Sequence, residues 1–151
     1  MDLGELYQEL ILDHNKHPRN FKRVAECTHH ARGDNPLCGD KLSLELVFDE
    51  SGRVRDIGFQ GVGCAISRAS SSLMTEAVKG KTRAEVLALF DLFHRMATAP
   101  MDAEHVEMAG LGKLEAFSGV REFPMRVKCA TLAWHTLHAA ITEGDSLVTT
   151  E

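Results

Sequence analysis

The chain reads KLSLELVF from residue 41 to residue 48, and this stretch decides the fold. Leu42, Leu44 and Leu46 alternate with Ser43 and Glu45, which is the period-two pattern of a strand with one buried face. The turn sequence DESG follows at residues 49–52, and residues 54–59 then read as a second strand. The sequence therefore predicts an antiparallel hairpin over residues 41–59.

Helical patterns lie on both sides of this hairpin. Apolar side chains at i, i+3, i+4 and i+7 predict a first helix that ends near His14. A second helix follows Cys64 and stops at Gly80, a third begins at the capping box of Thr82, and a final helix covers about residues 126–142. Residues 98–119 contain Pro100 and are expected to form a loop with one short helix, and residues 25–31 a short edge strand.

This order of elements predicts an α+β domain. Strands come early and helices late, so we expect a small antiparallel sheet of about three strands with the helices packed on one face. Residues 1–144 are expected to form a single domain, since no linker or repeat interrupts them, and residues 145–151 are expected to be a frayed tail.

Composition excludes several classes of function. The 151 residues carry 17 basic and 22 acidic side chains, and no basic run marks a surface for a phosphate backbone, so we expect no nucleic-acid partner. No apolar stretch approaches the roughly 20 residues of a membrane span, and the N-terminus lacks a cationic signal region. Four unevenly spaced cysteines are too few for a disulfide scaffold. We therefore expect a cytoplasmic protein with reduced thiols.

Three separate segments contain the candidate chemistry. Cys38-Gly39-Asp40 places a thiol and a carboxylate on either side of a glycine, which lets the backbone bend so that both side chains face one point. Cys64 is predicted at a strand-to-helix transition, and Cys129 in the first turn of the last helix. The helix dipoles and the cations Arg68, Arg126 and Lys128 are expected to favour thiolate at these two cysteines.

Three thiolates and one carboxylate suit two kinds of metal centre. Such a set can hold a tetrahedral Zn²⁺ ion or an iron-sulfur cluster. The carboxylate is the harder ligand, so this site should exchange a ligand more readily than an all-thiolate structural site. The spacing alone leaves both alternatives open.

Other reactive side chains are better explained by packing. Cys27 has no motif around it and is assigned to the core or the surface. Two histidine pairs lack a third ligand nearby in sequence, and a serine cluster lacks the nucleophile elbow of a hydrolase. These residues are His29 and His30, His135 and His138, and Ser70, Ser71 and Ser72.

Three motifs together resemble one known family. They read GDNPLCGD at residues 33–40, GVGCAISRASSS at residues 61–72 and RVKCATL at residues 126–132. In this order, and over nearly the whole chain, they resemble the IscU/NifU N-terminal family of iron-sulfur assembly proteins, specifically its SufU branch. The resemblance implies a SufE/IscU-like α+β fold and a metal site made by three cysteines and an aspartate.

The position before the last cysteine separates the branches of this family. Proteins of the IscU type usually have histidine there, whereas this chain has Lys128, whose ammonium group has no lone pair for a cluster at neutral pH. The SufU resemblance implies Zn²⁺ held by Cys38, Asp40, Cys64 and Cys129, with Arg126 and Lys128 as supporting cations. It also implies that Cys38 accepts persulfide sulfur from a SufS-like, pyridoxal-phosphate cysteine desulfurase.

The resemblance leaves two functional classes open. The first is a zinc-dependent sulfurtransferase that supplies downstream iron-sulfur assembly proteins. The second is a non-enzymatic scaffold that assembles a [2Fe-2S] or [4Fe-4S] cluster and passes it on. A purely structural zinc site, on which only the folding would depend, is the third alternative.

Overall fold

The hairpin predicted from residues 41–59 lies at the centre of the fold. The structure is a computed structural model that describes residues 3–144 and 147–149. Strand β2 spans Asp40–Phe48 and pairs antiparallel with β3, Val54–Val62. Leu42, Leu44 and Leu46 are buried along β2 while Lys41 and Ser43 are exposed, so the alternation seen in the sequence separates the two faces of the sheet.

Two further strands extend the sheet on the side of β2. Strand β1 spans His29–Asn35, later in the chain than the edge strand expected over residues 25–31, and it pairs antiparallel with β2. Strand β4, Leu147–Thr149, pairs parallel with β1 and gives the order β3-β2-β1-β4. Within the described residues the sheet therefore has four strands, one pair of them parallel, rather than the expected three antiparallel strands, because β4 satisfies the backbone groups along the outer side of β1.

The tail expected to fray falls partly within this sheet. Its residues 147–149 form β4, while residues 145, 146, 150 and 151 lie outside the described part of the chain.

In the described part of the chain, four α-helices and one 3₁₀ segment accompany the sheet. They are α1 (Leu3–Lys16), α2 (Ala65–Val78), α3 (Arg83–Thr98), the 3₁₀ segment (Gly112–Glu122) and α4 (Pro124–Thr142). The capping box at Thr82 and Glu85 is present at the start of α3, as predicted. Helix α4 begins two residues earlier than expected, since Pro124 fits the first turn, where its missing N–H has no partner to lose. None of the helices within the described ranges is long and apolar enough to cross a membrane.

The helices cover one face of the sheet. Helix α4 lies against β1 and β2, and α2 lies against β3. Helix α3 adds an outer layer on α4, where the ring of Phe93 stacks on Trp134 with centroids 4.6 Å apart. The predicted arrangement of an α+β domain with helices on one face is confirmed, and it leaves the start of α4 beside the turn between β1 and β2.

Candidate metal centre

The turn between β1 and β2 carries two candidate ligands. The Asn35 carbonyl accepts the backbone N–H of Cys38 at 3.2 Å and that of Gly39 at 2.9 Å. Gly39 has a φ of 74°, a left-handed conformation that glycine adopts without a steric cost. The bend leaves Cys38 exposed on the turn and places Asp40, fully buried, at the first position of β2.

Cys64 joins the end of β3 to the start of α2. It is the N-cap residue, and its Sγ accepts the backbone N–H of Ser67 at 3.5 Å. Its own backbone N–H donates to Oδ1 of Asp40 at 2.8 Å. A Cβ at Gly63 would lie 2.9 Å from the same oxygen, so the chain approaches Asp40 this closely only because residue 63 lacks a side chain.

Cys129 comes from α4 and is 3% exposed. Because α4 begins at Pro124, this cysteine lies in the second helical turn and not in the first. Burial raises the pKa of its thiol far above the usual range, and the neighbouring Asp40, Cys38 and Cys64 raise it further. The expectation that the helix dipole favours thiolate at this position is wrong for the metal-free protein, since burial and neighbouring acceptors outweigh the dipole.

The structure brings the four side chains to one place. Ligand atoms of Cys38, Asp40 and Cys129 all lie within 4.8 Å of one another. Cys64 lies at the edge of this trio, with its Sγ 3.9 Å from Oδ2 of Asp40. Ligand atoms around a tetrahedral Zn²⁺ are separated by about 3.6 to 3.8 Å, given Zn–S near 2.3 Å and Zn–O near 2.1 Å. The 3.9 Å separation of Cys64 and Asp40 is close to that spacing, and the 4.8 Å limit of the trio is about 1 Å wider.

A buried amide, Asn35, also belongs to this place, and the sequence analysis did not single it out. Asn35 is fully buried, and its Nδ2 lies 3.5 Å from Oδ2 of Asp40 and 3.6 Å from Sγ of Cys129. The only signal in the sequence is its position in the GDNPLCGD motif, five residues before Asp40.

A cavity of about 890 Å³ opens in front of the cysteines. Cys38, Cys64 and Cys129 line it together with side chains from α1, the 3₁₀ segment and the start of α4. Phe123, Met125 and Leu12 at this cavity are each more than 40% exposed. The thiols are therefore reached through an open pocket with an apolar rim, which suits approach by a macromolecular partner.

The three cations expected to favour thiolate differ in position. Arg126 lines the cavity, and its guanidinium lies over the Phe123 ring at 4.6 Å from the centroid. Lys128 is half-buried directly before Cys129. The guanidinium of Arg68 instead lies over the ring of Phe21, 4.8 Å from its centroid.

The side chains that the sequence analysis assigned to packing contact residues outside the candidate site. Cys27 donates to a carboxylate oxygen of Glu45 at 3.8 Å, on β2. His135 packs against the rings of Phe90 and His94 on α3. The serines of α2 are buried, and Ser70 donates to the Ala130 carbonyl at 2.6 Å, which joins α2 closely to α4.

The donor set fits a divalent metal ion. Four side chains converge, and three of them offer a soft sulfur atom. Burial and the neighbouring groups now oppose ionisation of the Cys129 thiol, and a cation between the ligands would favour it. The buried Oδ1 of Asn35 also has no partner among the described residues, as expected where polar side chains surround the place of a bound group.

Comparison with known proteins agrees with this fold. A relative from Streptococcus pyogenes serotype M1, named iron-sulfur cluster assembly scaffold protein IscU, is 43% identical over 92% of this chain and 84% of its own. A relative from Bacillus subtilis strain 168, named zinc-dependent sulfurtransferase SufU, is 39% identical over 95% of both chains. The crystal structure of FiSufU from Fervidobacterium islandicum AW-1 superposes with a TM-score of 0.82 at 33% identity, and covers 93% of this chain and 100% of that one.

The family model points to the same group of proteins. Residues 6–130 match the model described as the NifU-like N-terminal domain. This match includes the segments that carry Cys38, Asp40, Cys64 and Cys129. The chain therefore belongs to the NifU-like N-terminal domain family, the group that includes IscU and SufU proteins.

Proposed function

We propose that this protein takes part in iron-sulfur cluster assembly as a zinc-dependent sulfur acceptor of the SufU type. The observation that carries the proposal is the unequal exposure of its three sulfur ligands. Cys38 is exposed on a turn, Cys64 is exposed but its Sγ caps the start of α2, and Cys129 is buried in a helix. A site that only holds a metal ion gains nothing from an exposed sulfur outside the helices and strands, but a site that receives sulfur from another protein needs one.

The proposed zinc site uses Cys38, Asp40, Cys64 and Cys129 as ligands. Zn²⁺ bound there would keep the thiols deprotonated and supply a Lewis acid beside them. Asp40, Cys64 and Cys129 are anchored by the sheet and by two helices, so they hold the metal. Cys38, held only by its turn, is the ligand that can turn toward a partner.

Sulfur transfer at Cys38 would follow thiol–disulfide exchange chemistry. The Cys38 thiolate attacks the terminal sulfur of the persulfide on a pyridoxal-phosphate cysteine desulfurase and forms a new S–S bond. The original S–S bond breaks, and its electron pair leaves with the desulfurase cysteine as a thiolate. The product is a persulfide on Cys38, and Arg126 at the cavity can stabilise its charge.

A sequence feature favours SufU chemistry over cluster scaffolding, while the relatives include proteins of both names. Lys128 offers no lone pair at the position next to Cys129. The proposal places the protein in the cytoplasm, where thiols stay reduced, with a SufS-like desulfurase and downstream assembly proteins as partners.

Cluster scaffolding is the second candidate function. The relative named iron-sulfur cluster assembly scaffold protein IscU is 43% identical to this chain. Three thiols and a carboxylate can also hold an iron-sulfur cluster. A scaffold would assemble a cluster in anaerobic reconstitution with iron and sulfide, and would transfer it intact to an apo-protein.

The test combines metal analysis with a desulfurase assay. Protein purified without added metal is expected to contain one zinc per chain and to accelerate a cysteine desulfurase. Cys38→Ala should abolish the acceleration while the fold is retained. Cys27→Ala is the matched control, because the Cys27 thiol contacts Glu45 and is not among the candidate ligands. An intact effect in Cys38→Ala would contradict sulfur transfer. Zinc without any desulfurase response would indicate a structural site.

A further inference from the structure

Asn35 has a position that its role in the backbone turn does not explain. Its carbonyl accepts the turn hydrogen bonds, yet its side chain is directed into the interior, where it is fully buried. There its Nδ2 lies 3.6 Å from Sγ of Cys129, within the range of an N–H···S hydrogen bond, and 3.5 Å from Oδ2 of Asp40. One amide group therefore faces two of the four candidate ligands.

The orientation of this amide follows from charge. With Nδ2 toward Asp40 and Cys129, both N–H groups face acceptors. The flipped orientation would place the carbonyl oxygen against the carboxylate, which is electrostatically unfavourable. Oδ1 then has no partner among the described residues, so the amide is held by its donors alone.

We propose that Asn35 is a positioning residue that holds Cys129 and Asp40 in place as the permanent ligands of the metal centre. This inference rests on the proposed function, in which these side chains bind the metal. Cys129 and Asp40 are both anions in that state, so hydrogen bonds from a neutral amide strengthen.

The consequence is a difference between the sulfur ligands. An N–H···S bond stabilises charge on a thiolate, which makes that sulfur a weaker nucleophile and a longer-lived ligand. Asn35 supplies such a bond to Cys129. Cys64 is exposed as well, but its Sγ accepts the backbone N–H of Ser67, so Cys38 is the exposed ligand left for exchange with a partner.

Cobalt substitution tests this role without a desulfurase. Co²⁺ replaces Zn²⁺ at thiolate sites, and its sulfur-to-metal charge-transfer bands report on each thiolate. Asn35→Ala is expected to weaken metal binding roughly 10-fold to 100-fold in competition with a chelator, the usual loss for a partner of a metal ligand. The charge-transfer bands should also move to longer wavelength, because a thiolate without its hydrogen bond is oxidised more easily.

Two control variants distinguish a specific effect on the metal ligands from a general loss of stability. Asn15→Ala removes a half-buried amide from α1 and should change neither affinity nor spectrum. Asn35→Ser keeps one donor and should show intermediate changes; it also decides the question if Asn35→Ala does not fold.

Each alternative outcome has a distinct meaning. Weaker binding without a band shift, or unchanged binding, would overturn the role of Asn35 and leave the proposed metal site intact. Failure of the unmodified protein to bind one Co²⁺ through its cysteines would overturn the metal site and this inference together.

Discussion

The backbone N–H of Cys64 donates a 2.8 Å hydrogen bond to Oδ1 of Asp40. This bond joins the loop after β3 to the first residue of β2, and so connects two candidate ligands that are 24 residues apart in the chain. Asp40 therefore has two tasks, since one oxygen holds the loop of Cys64 and the other remains available to a metal ion.

Asp40→Ala tests both tasks of the carboxylate. It should weaken zinc binding, because the metal loses one of its four proposed ligands, and it leaves the Cys64 N–H without its acceptor, at a cost of roughly 1 to 3 kcal/mol in unfolding free energy. We expect circular dichroism to show a retained fold, because the core lies elsewhere. Asp40→Asn keeps an acceptor for that N–H and should recover stability without recovering metal affinity. Complete unfolding of both variants would contradict a functional role for the carboxylate.

Gly63→Ala tests the close approach of the loop to Asp40. The added Cβ would lie 2.9 Å from Oδ1, so the loop or the carboxylate must shift. We expect zinc affinity, measured by chelator competition, to fall about 10-fold. Gly119→Ala is the matched control, since a Cβ there meets no atom within 4 Å. Equal affinities in the two variants would show that the loop position is not important for the site.

Cys38→Ala and Cys129→Ala should differ in unfolding free energy, because one side chain is exposed and the other is buried. In metal-free protein, loss of the exposed Cys38 thiol should change the unfolding free energy by less than about 0.5 kcal/mol, whereas loss of the buried Cys129 side chain should cost roughly 1 to 3 kcal/mol. Both variants should lose part of the stabilisation that zinc gives to the unmodified protein, because binding to the folded state alone raises stability. Denaturant unfolding with and without chelator measures these changes. A large loss in metal-free Cys38→Ala would mean that the turn is part of the core.

His14 gives the fold a dependence on pH. It is 1% exposed on α1, and its Nδ1 shares a 2.7 Å hydrogen bond with Oγ of Ser72 on α2. Burial lowers the pKa of His14 below its ordinary value, and Arg19 lowers it further. Above about pH 6.5, the ordinary pKa of histidine, the stabilising contribution of neutral His14 is complete. This contribution is lost as pH falls toward the lowered pKa, because the unfolded chain takes up the proton first.

Unfolding measurements on metal-free protein between pH 7.5 and 5 check this dependence. His14→Gln should reduce the slope of stability against pH, by at most about 1.4 kcal/mol per pH unit for one proton. His105→Gln, which removes an exposed histidine from a loop, is the control. Identical slopes in the unmodified protein and His14→Gln would contradict the role of His14.

The parts of the fold that the sequence predicts are those with local patterns. Alternation in residues 41–48 marks the central hairpin, and the capping box at Thr82 marks a helix start. Strand β4 has no such pattern, because its three residues become a strand only through pairing with β1. Non-local pairing of this kind is not visible in a short stretch of sequence.

In the candidate site, too, the sequence predicts the features with local patterns but not those that depend on distant segments. Cys38, Asp40, Cys64 and Cys129 are recognisable from residue type and motif, and the structure brings them together. The raised pKa of Cys129 could not be predicted, because it depends on burial by distant segments. The contact of Asn35 with Cys129 spans 94 residues and depends on how α4 lies against β1.

Locating the transferred sulfur tests the central claim most directly. The protein is incubated with a cysteine desulfurase and cysteine, free thiols and persulfides are alkylated, and the peptides are analysed by mass spectrometry. We expect one added sulfur atom on Cys38, and unmodified Cys27, Cys64 and Cys129. Desulfurase stimulation with the added sulfur on another cysteine, or on none, would contradict the account.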